Sequence, residues 1–181
     1  MNSFNTRLEV GQVAPAFSMP SLEHGSIEMP PRTLTHLQFR RFAGCPICSL
    51  HLRSFARRHD ELEAAGVCEV AVFHSTAEAL RRYHADLPFA IVPDPEKRLY
   101  ALYGLEKGLA ALLHPRAMWA GMKGMFSAPN NPLDAGGGLI GLPGDFLIDS
   151  GGKIVHARYG SHADDHLEVD EVLRFARERS A

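Results

Sequence analysis

The sequence contains little cysteine and no long apolar run. Its 181 residues include three cysteines, an odd number and too few for the disulfide framework of a small secreted protein. No stretch approaches the ~18 consecutive apolar residues of a membrane-spanning helix. The opening residues, MNSFNTRLEV, lack the charged and apolar regions of a secretory signal. We therefore expect a cytoplasmic protein that does not enter a membrane.

The chain has no large excess of either positive or negative charge. The formal net charge is −2, from 19 basic and 21 acidic residues. Such a balance gives no overall basic field that would favour nucleic acid or an anionic membrane as a partner. Apolar residues make up 45% and charged residues 22% of the chain, as in ordinary globular proteins. We predict one domain over residues 1–181, long enough to bury its own core.

Alternating strand and helix patterns fill most of the chain. Prolines punctuate residues 10–31, which predicts an extended N-terminal hairpin. Strands are expected at 35–42 and 67–74, with a helical pattern over 46–65 between them. Later come further strand and helix patterns, an inserted helical and Gly-rich segment at about 105–138, and a final hairpin and helix. This order predicts an α/β fold with a central mixed β-sheet flanked by helices.

Local signals place some boundaries of these elements. Gly66 is a natural end for the 46–65 helix. Ser75 and Glu78 have the capping-box spacing, which predicts that a helix starts at Ser75. The last helix is expected over about 167–179. Cys68 opens the apolar 67–74 strand, so we expect a free thiol buried in the core.

The stretch FAGCPICSL holds Cys45 and Cys48 where a strand gives way to a helix. Pro46 suits the first helical position, because its missing N–H is not needed there. Cys45 would then lie at the helix cap, where free N–H groups and the helix dipole favour a thiolate. Cys48 lies within the same turn, so the two sulfurs can form a small disulfide ring. Arg40 and Arg41 would add positive potential. This arrangement favours redox chemistry.

Two other interpretations of the pair stay open. Structural zinc usually needs four ligands, and the chain has no second C-x-x-C. His51, His162 and His166 are candidates for completing a mixed zinc site. The other interpretation is an inert pair of cysteines in a buried turn. Because the strand–C-x-x-C–helix order favours redox use over both, we predict neither a metal nor a cofactor.

Three further stretches have the motifs of a known family. The stretch VGQVAPAF is similar to the G-x-x-A-P-x-F opening of this family. FAIVPDPEKRLYALYG is similar to its strand, Asp-Pro turn and helix ending in Tyr-Gly. GDFLIDSGGKIV is similar to its Phe-containing strand followed by a hairpin. Over about residues 10–104 and 138–179, the chain resembles the thioredoxin superfamily, specifically its alkyl hydroperoxide reductase/thiol-specific antioxidant (AhpC/TSA, peroxiredoxin-like) branch. The resemblance implies a thioredoxin-like fold.

The resemblance also implies an enzyme, a thiol-dependent antioxidant oxidoreductase. It would reduce hydroperoxides through a reversible Cys45–Cys48 pair and be recycled by a cellular thiol such as thioredoxin or glutathione. Peroxiredoxins carry T-x-x-C. Alignment through the helix makes Cys48 the peroxidatic residue and puts Cys45 in place of the threonine, whereas alignment through Cys-Pro makes Cys45 peroxidatic. Both registers stay open.

Other residues are expected to support the site. Peroxiredoxins place an arginine just before the F-x-I-D strand, where this chain has Pro143, as do thioredoxins, whose cis-proline faces the C-x-x-C. We therefore predict that the Leu142–Pro143 bond is cis. Pro46 and Arg41 are the other expected supporting residues. Arg158, at the end of a hairpin strand, is a further candidate.

Two alternatives to peroxide reduction follow from the same residues. In the first, the protein is a thioredoxin-like dithiol–disulfide oxidoreductase, whose exposed Cys45 thiolate attacks a protein disulfide and whose Cys48 resolves the mixed disulfide. In the second, it is a redox-sensing or partner-binding thioredoxin-fold module with little turnover. The Met-rich 105–138 insertion is compatible with a substrate lid, a homodimer contact or core filling.

Overall fold

The structure is a computed structural model that describes residues 7–105 and 142–180. The strands are β1 (Phe17–Pro20), β2 (Ser26–Met29), β3 (Leu34–Arg40), β4 (Val67–Phe73), β5 (Ala90–Pro93), β6 (Gly144–Ile148) and β7 (Ile154–Tyr159). The helices are α1 (Pro46–Arg57), α2 (His59–Ala64), α3 (Ala77–His84), α4 (Arg98–Leu102) and α5 (Val169–Ser180). From residue 106 onward, the predicted 105–138 insertion lies outside the described residues.

The sheet confirms the predicted mixed α/β architecture. Its five strands have the order β5-β4-β3-β6-β7. β3, β4 and β5 run parallel, whereas β6 and β7 are antiparallel to their neighbours. β1 and β2 form the expected N-terminal antiparallel hairpin. Because β6 pairs with β3, chain segments on both sides of residues 106–141 contribute to one sheet.

Two apolar clusters cover the two faces of the sheet. Leu37 and Phe39 of β3 belong to one cluster, together with Phe146 and the aromatic rings of Tyr100 and Tyr103. The other cluster is built from the inner residues of the helices on the opposite face. It includes both active-site candidate cysteines and the following helical residues: Leu52, Phe55, Leu62, Leu80, Val172 and Leu173. Within the described ranges, no helix is long and apolar enough to cross a bilayer.

The helix predicted over 46–65 is two helices, so this prediction is partly wrong. Arg58 leaves the helical conformation, with φ −116° and ψ 22°, and separates α1 from α2. Its guanidinium binds Glu61 at 2.8 Å and Asp170 at 2.6 Å. These contacts connect the bend to the start of α5. Gly66 follows α2 with φ +73°, as its predicted role as a helix end requires.

The cap of α3 lies one residue later than predicted. The Thr76 side chain accepts a hydrogen bond from the Ala79 N–H at 3.3 Å, so Thr76 is the N-cap. The Ser75 hydroxyl has a different role, since it accepts a hydrogen bond from the Ala43 N–H at 3.0 Å. Ser75 therefore fixes the connection between β3 and α1.

Cys68 is exposed, so the prediction of a buried core thiol is wrong. It lies near the start of β4 and pairs with Thr35 of β3. On the other side of β4, pairing with β5 begins only at Val70 and Ala90. Within the described chain segments, the first residues of β4 therefore have no partner strand on the β5 side, and the Cys68 side chain is exposed there.

Candidate active site

The two cysteines of the C-x-x-C lie at the beginning of α1, as the sequence predicts. Cys45 is the N-cap, in an extended conformation with φ −71° and ψ 115°, and Pro46 occupies the first helical position. The Cys45 carbonyl accepts a hydrogen bond from the Ser49 N–H at 3.0 Å, which closes the first turn. The Cys45 N–H donates to the Phe42 carbonyl at 3.1 Å. The turn between β3 and α1 is thus held by its own backbone.

Arg41 contacts both sulfur atoms. Its Nη1 donates to Cys45 Sγ at 3.7 Å, and its backbone N–H donates to Cys48 Sγ at 3.4 Å. The side chain is 4% exposed, so its charge acts on the sulfurs with little solvent screening. The structure therefore brings Arg41, Pro46 and the two cysteines together.

The two thiols have different acidities. Burial acts against a Cys45 thiolate, but the hydrogen bond from the Cys48 side chain and the Arg41 guanidinium together lower the Cys45 pKa from 9.0 to about 7. The N–H dipoles of Ile47 and Cys48 add to this lowering, although neither group makes a capping hydrogen bond to the sulfur. Burial and the neighbouring Cys45 raise the Cys48 pKa well above 9.0. Near neutral pH, Cys45 is therefore the cysteine that ionises, and Cys48 stays a thiol that stabilises the Cys45 thiolate.

Both sulfurs are buried, which differs from the exposed Cys45 expected in the exchange scheme. Cys45 is 0% exposed and Cys48 is 1% exposed. They belong to the apolar cluster that also contains Phe42, Ala43 and Ile47. An incoming molecule therefore reaches Cys45 only when this packing opens.

A buried polar network lies next to the site, on the face of the sheet that α1 covers. His36, Gln38 and Arg40 alternate along β3, and all three are 0% exposed. Arg40 Nη2 donates to Asp145 Oδ1 at 2.8 Å and to Gln38 Oε1 at 2.7 Å. His36 contacts Glu69 at 2.8 Å and Asp145 at 3.1 Å. This network was not predicted from the sequence, where its local signal is the polar residue at every second position of β3.

The acidities within the network depend on these contacts. Burial disfavours a charged His36, but Glu69 and Asp145 outweigh burial and raise the His36 pKa to about 9. Burial also disfavours the Asp145 carboxylate, but Arg40 and His36 hold its pKa well below the usual range. Arg40 directly precedes Arg41. The network therefore fixes the end of β3 from which Arg41 reaches both sulfurs.

His51 connects the network to α1, one turn after Cys48. Its Nε2 lies 3.0 Å from Arg40 Nη2, and its ring packs against His166 with centroids 3.8 Å apart. Burial, His166 and Arg40 lower the His51 pKa well below 6.5, so the imidazole is neutral and accepts the guanidinium hydrogen bond.

Within residues 7–105 and 142–180, no group of three or more His, Cys, Asp or Glu side chains has an arrangement that could hold a metal.

Two predicted supporting residues, Pro143 and Arg158, make hydrogen bonds to other parts of the chain. Pro143 is buried immediately before β6, and its carbonyl accepts a hydrogen bond from the Gly160 N–H at 2.9 Å. The Leu142–Pro143 bond is not cis, so that prediction is wrong; in the described part of the chain the cis bond is Met29–Pro30. Arg158 donates to the Glu171 carboxylate at 2.9 Å and to the His166 carbonyl at 2.8 Å. These contacts support the start of α5, so a role of Arg158 at the cysteines stays a prediction.

Residues 54–162, more than half of the chain, match the AhpC/TSA antioxidant enzyme family. The chain belongs to this family. As the matched range begins after Cys48, the assignment of the cysteine pair in this AhpC/TSA protein rests on the geometry of the site. No curated protein sequence matches the chain.

Solved structures show that this AhpC/TSA protein has the expected thioredoxin-like fold. Peroxidoxin BcpB from Mycobacterium tuberculosis matches with a TM-score of 0.69 and 14% identity, covering 95% of this chain and 98% of that chain. A peroxiredoxin-like protein from Aquifex aeolicus matches with a TM-score of 0.67 and 17% identity, covering 97% and 90%. A chain described as thiol:disulfide interchange protein DsbE from Chlorobium tepidum matches with a TM-score of 0.61 and 21% identity, covering 93% and 98%. At these identities the matches establish the fold alone.

Proposed function

We propose that this AhpC/TSA protein is a thiol peroxidase that reduces hydroperoxides through a reversible Cys45–Cys48 pair. The observation that carries the proposal is the division of roles between the two sulfurs. Cys45, with a pKa of about 7, is the nucleophile, and Cys48, with a raised pKa, holds the proton that the second step needs. Membership of the antioxidant enzyme family supports a peroxide as the oxidant.

The chemistry takes two steps. The Cys45 thiolate attacks the terminal oxygen of the hydroperoxide, an S–O bond forms as the O–O bond breaks, and the products are a Cys45 sulfenic acid and an alkoxide or hydroxide that takes up a proton. The Cys48 thiol then condenses with the sulfenic acid, forming the disulfide and releasing water. A thiol reductant, such as thioredoxin or glutathione, supplies two electrons and restores the dithiol.

The burial of both sulfurs favours a small oxidant over a protein disulfide. Thiol–disulfide exchange places the attacking sulfur in line with an S–S bond of the partner. With Cys45 at 0% exposure, a folded partner protein would require a wide opening of the site. Hydrogen peroxide or a small organic hydroperoxide requires a much smaller one.

Dithiol–disulfide exchange is the second candidate function. The Cys-Pro-x-Cys at a helix start, with an acidic first cysteine and a protonated second one, suits exchange as well as peroxide reduction. The likeness to the DsbE chain, which covers 98% of that chain, is also compatible with it. The two functions differ in their oxidant, and this difference can be measured.

Turnover with two oxidants tests the proposal. The reduced protein is supplied with a thiol reductant and either hydrogen peroxide or a protein disulfide such as that of insulin. We expect many equivalents of peroxide to be consumed per chain and little acceleration of insulin reduction. Cys68→Ser is the matched control and should behave like the wild type, because Cys68 lies in β4 at the margin of the sheet. Insulin reduction without peroxide consumption would establish exchange, and one equivalent of either oxidant without turnover would indicate a redox sensor.

A further inference from the structure

Ser49 carries a buried hydroxyl that the fold does not use. The side chain is 2% exposed, and among the described residues its Oγ has no hydrogen-bond partner. Serine in a helix often returns its hydroxyl to a carbonyl of the preceding turn. Ser54, on the same helix, does so with the His51 carbonyl at 2.6 Å. An unsatisfied buried hydroxyl costs stability, so its presence at Ser49 requires an explanation.

Ser49 lies one helical turn after the reactive Cys45. Ser49 lies four residues after Cys45, and its N–H donates to the Cys45 carbonyl at 3.0 Å. Residues four apart on a helix are neighbours, and the Cα–Cβ bond of a helical residue tilts toward the N-terminus. The Cα–Cβ bond of Ser49 is therefore tilted toward the turn that carries Cys45.

Three donors around the cysteines already contact a sulfur atom. The Arg41 N–H donates to Cys48, and the Arg41 Nη1 and the Cys48 thiol contact Cys45. These groups stabilise the thiolate before the reaction. Peroxide attack creates a second site of negative charge, on the oxygen that leaves as the O–O bond breaks. A preorganised donor aimed at such a developing charge accelerates the reaction.

We propose that Ser49 is a catalytic residue whose hydroxyl donates a hydrogen bond to the departing oxygen of the hydroperoxide. The Cys45 thiolate forms the S–O bond, the O–O bond breaks, and the charge that appears on the departing oxygen is stabilised by the Ser49 O–H until that oxygen takes up a proton. Before peroxide arrives, the hydroxyl has no partner, which explains the unsatisfied group. This inference rests on the proposed peroxidase function and adds a residue to it.

Two electrophiles and two serines test the role of Ser49. Reduced wild type, Ser49→Ala and the matched control Ser54→Ala are each reacted with hydrogen peroxide and with iodoacetamide, whose leaving group is iodide. We expect Ser49→Ala to slow the peroxide reaction about a hundredfold and to leave the alkylation rate of Cys45 unchanged. Its thermal midpoint should stay equal or rise by about 2 °C, because an unsatisfied hydroxyl is removed and alanine favours the helix. Ser54→Ala should keep the wild-type peroxide rate, and Ser49→Thr, which retains a hydroxyl, should keep most of it.

The outcomes separate this inference from the proposed function. A wild-type protein that alkylates at Cys45 but ignores peroxide would overturn the proposed function and the inference with it. A wild-type protein that reduces peroxide, together with an equally fast Ser49→Ala variant, would overturn the inference alone. Equal slowing of peroxide reduction and alkylation in Ser49→Ala would also overturn it, because the hydroxyl would then act on the thiolate and not on the departing oxygen.

Discussion

Replacing Cys45 with serine is expected to abolish peroxide reduction, lowering its rate at least about a thousandfold. A serine hydroxyl is not ionised near neutral pH and is a poor nucleophile without an adjacent base. Burial remains in this variant and raises the pKa of the Cys48 thiol, so we do not expect Cys48 to take over the attack. Loss of the rate in Cys45→Ser is therefore expected to be almost complete.

Cys48→Ser should give a different result. The serine hydroxyl can still donate a hydrogen bond to Cys45, so the first attack should proceed. With no second sulfur, oxidation should stop after about one equivalent of peroxide per chain. Mass spectrometry of the variant treated with dimedone should locate a sulfenic acid at Cys45, whereas the wild type should contain a Cys45–Cys48 disulfide. A sulfenic acid on Cys48 in Cys45→Ser would instead support the register in which Cys48 is peroxidatic.

Replacing Asp145 with asparagine is expected to destabilise the protein by about 3–5 kcal/mol. The change keeps the shape of the side chain but removes the carboxylate that contacts both Arg40 and His36. All three side chains are 0% exposed, so solvent cannot replace the lost charge. Urea unfolding at pH 6.5 would measure the difference in the free energy of unfolding.

The matched control is the same substitution in an exposed ion pair. Asp86 binds Arg53 with two hydrogen bonds of 2.5 Å and 3.0 Å, but 62% of the Asp86 side chain is exposed. Asp86→Asn should therefore cost less than about 1 kcal/mol. Equal effects of the two substitutions would show that the network around Asp145 contributes no more than a surface contact.

The same network gives the stability a pH dependence on the alkaline side. Because the His36 pKa is raised from 6.5 to about 9, the folded protein holds this proton more tightly than the unfolded chain. This contribution is complete below pH about 6.5 and is lost as the pH rises through about 9. The loss should be smaller in Asp145→Asn, where one of the two carboxylates that raise the His36 pKa is absent.

The fold and the cysteine pair were predictable from the sequence because their signals are local. The apolar runs place the strands, and Pro46 after Cys45 sets the start of α1. The difference in pKa between the two thiols was harder to predict, since it depends on the direction of the Arg41 side chain and on burial. The exposure of Cys68 was mispredicted because an apolar run does not reveal where pairing with the neighbouring strand begins.

The buried network was missed for another reason. His36 and Asp145 are 109 residues apart in the chain and meet only because β3 and β6 are neighbours. The polar alternation along β3 normally indicates an exposed sheet face, and here that face is covered by α1. Pairing between distant strands, not a local pattern, decides which interpretation holds.

The pH dependence of alkylation at the two cysteines shows which of them is the attacking thiolate. Reduced protein is treated briefly with iodoacetamide across pH 5–10, and each site is quantified by peptide mass spectrometry. We expect Cys45 to react first, with a midpoint at about pH 7, and we expect Arg41→Met, but not Arg53→Met, to move this midpoint upward. A Cys45 midpoint near 9, or faster alkylation of Cys48 at neutral pH, would contradict the assignment of Cys45 as the attacking thiolate.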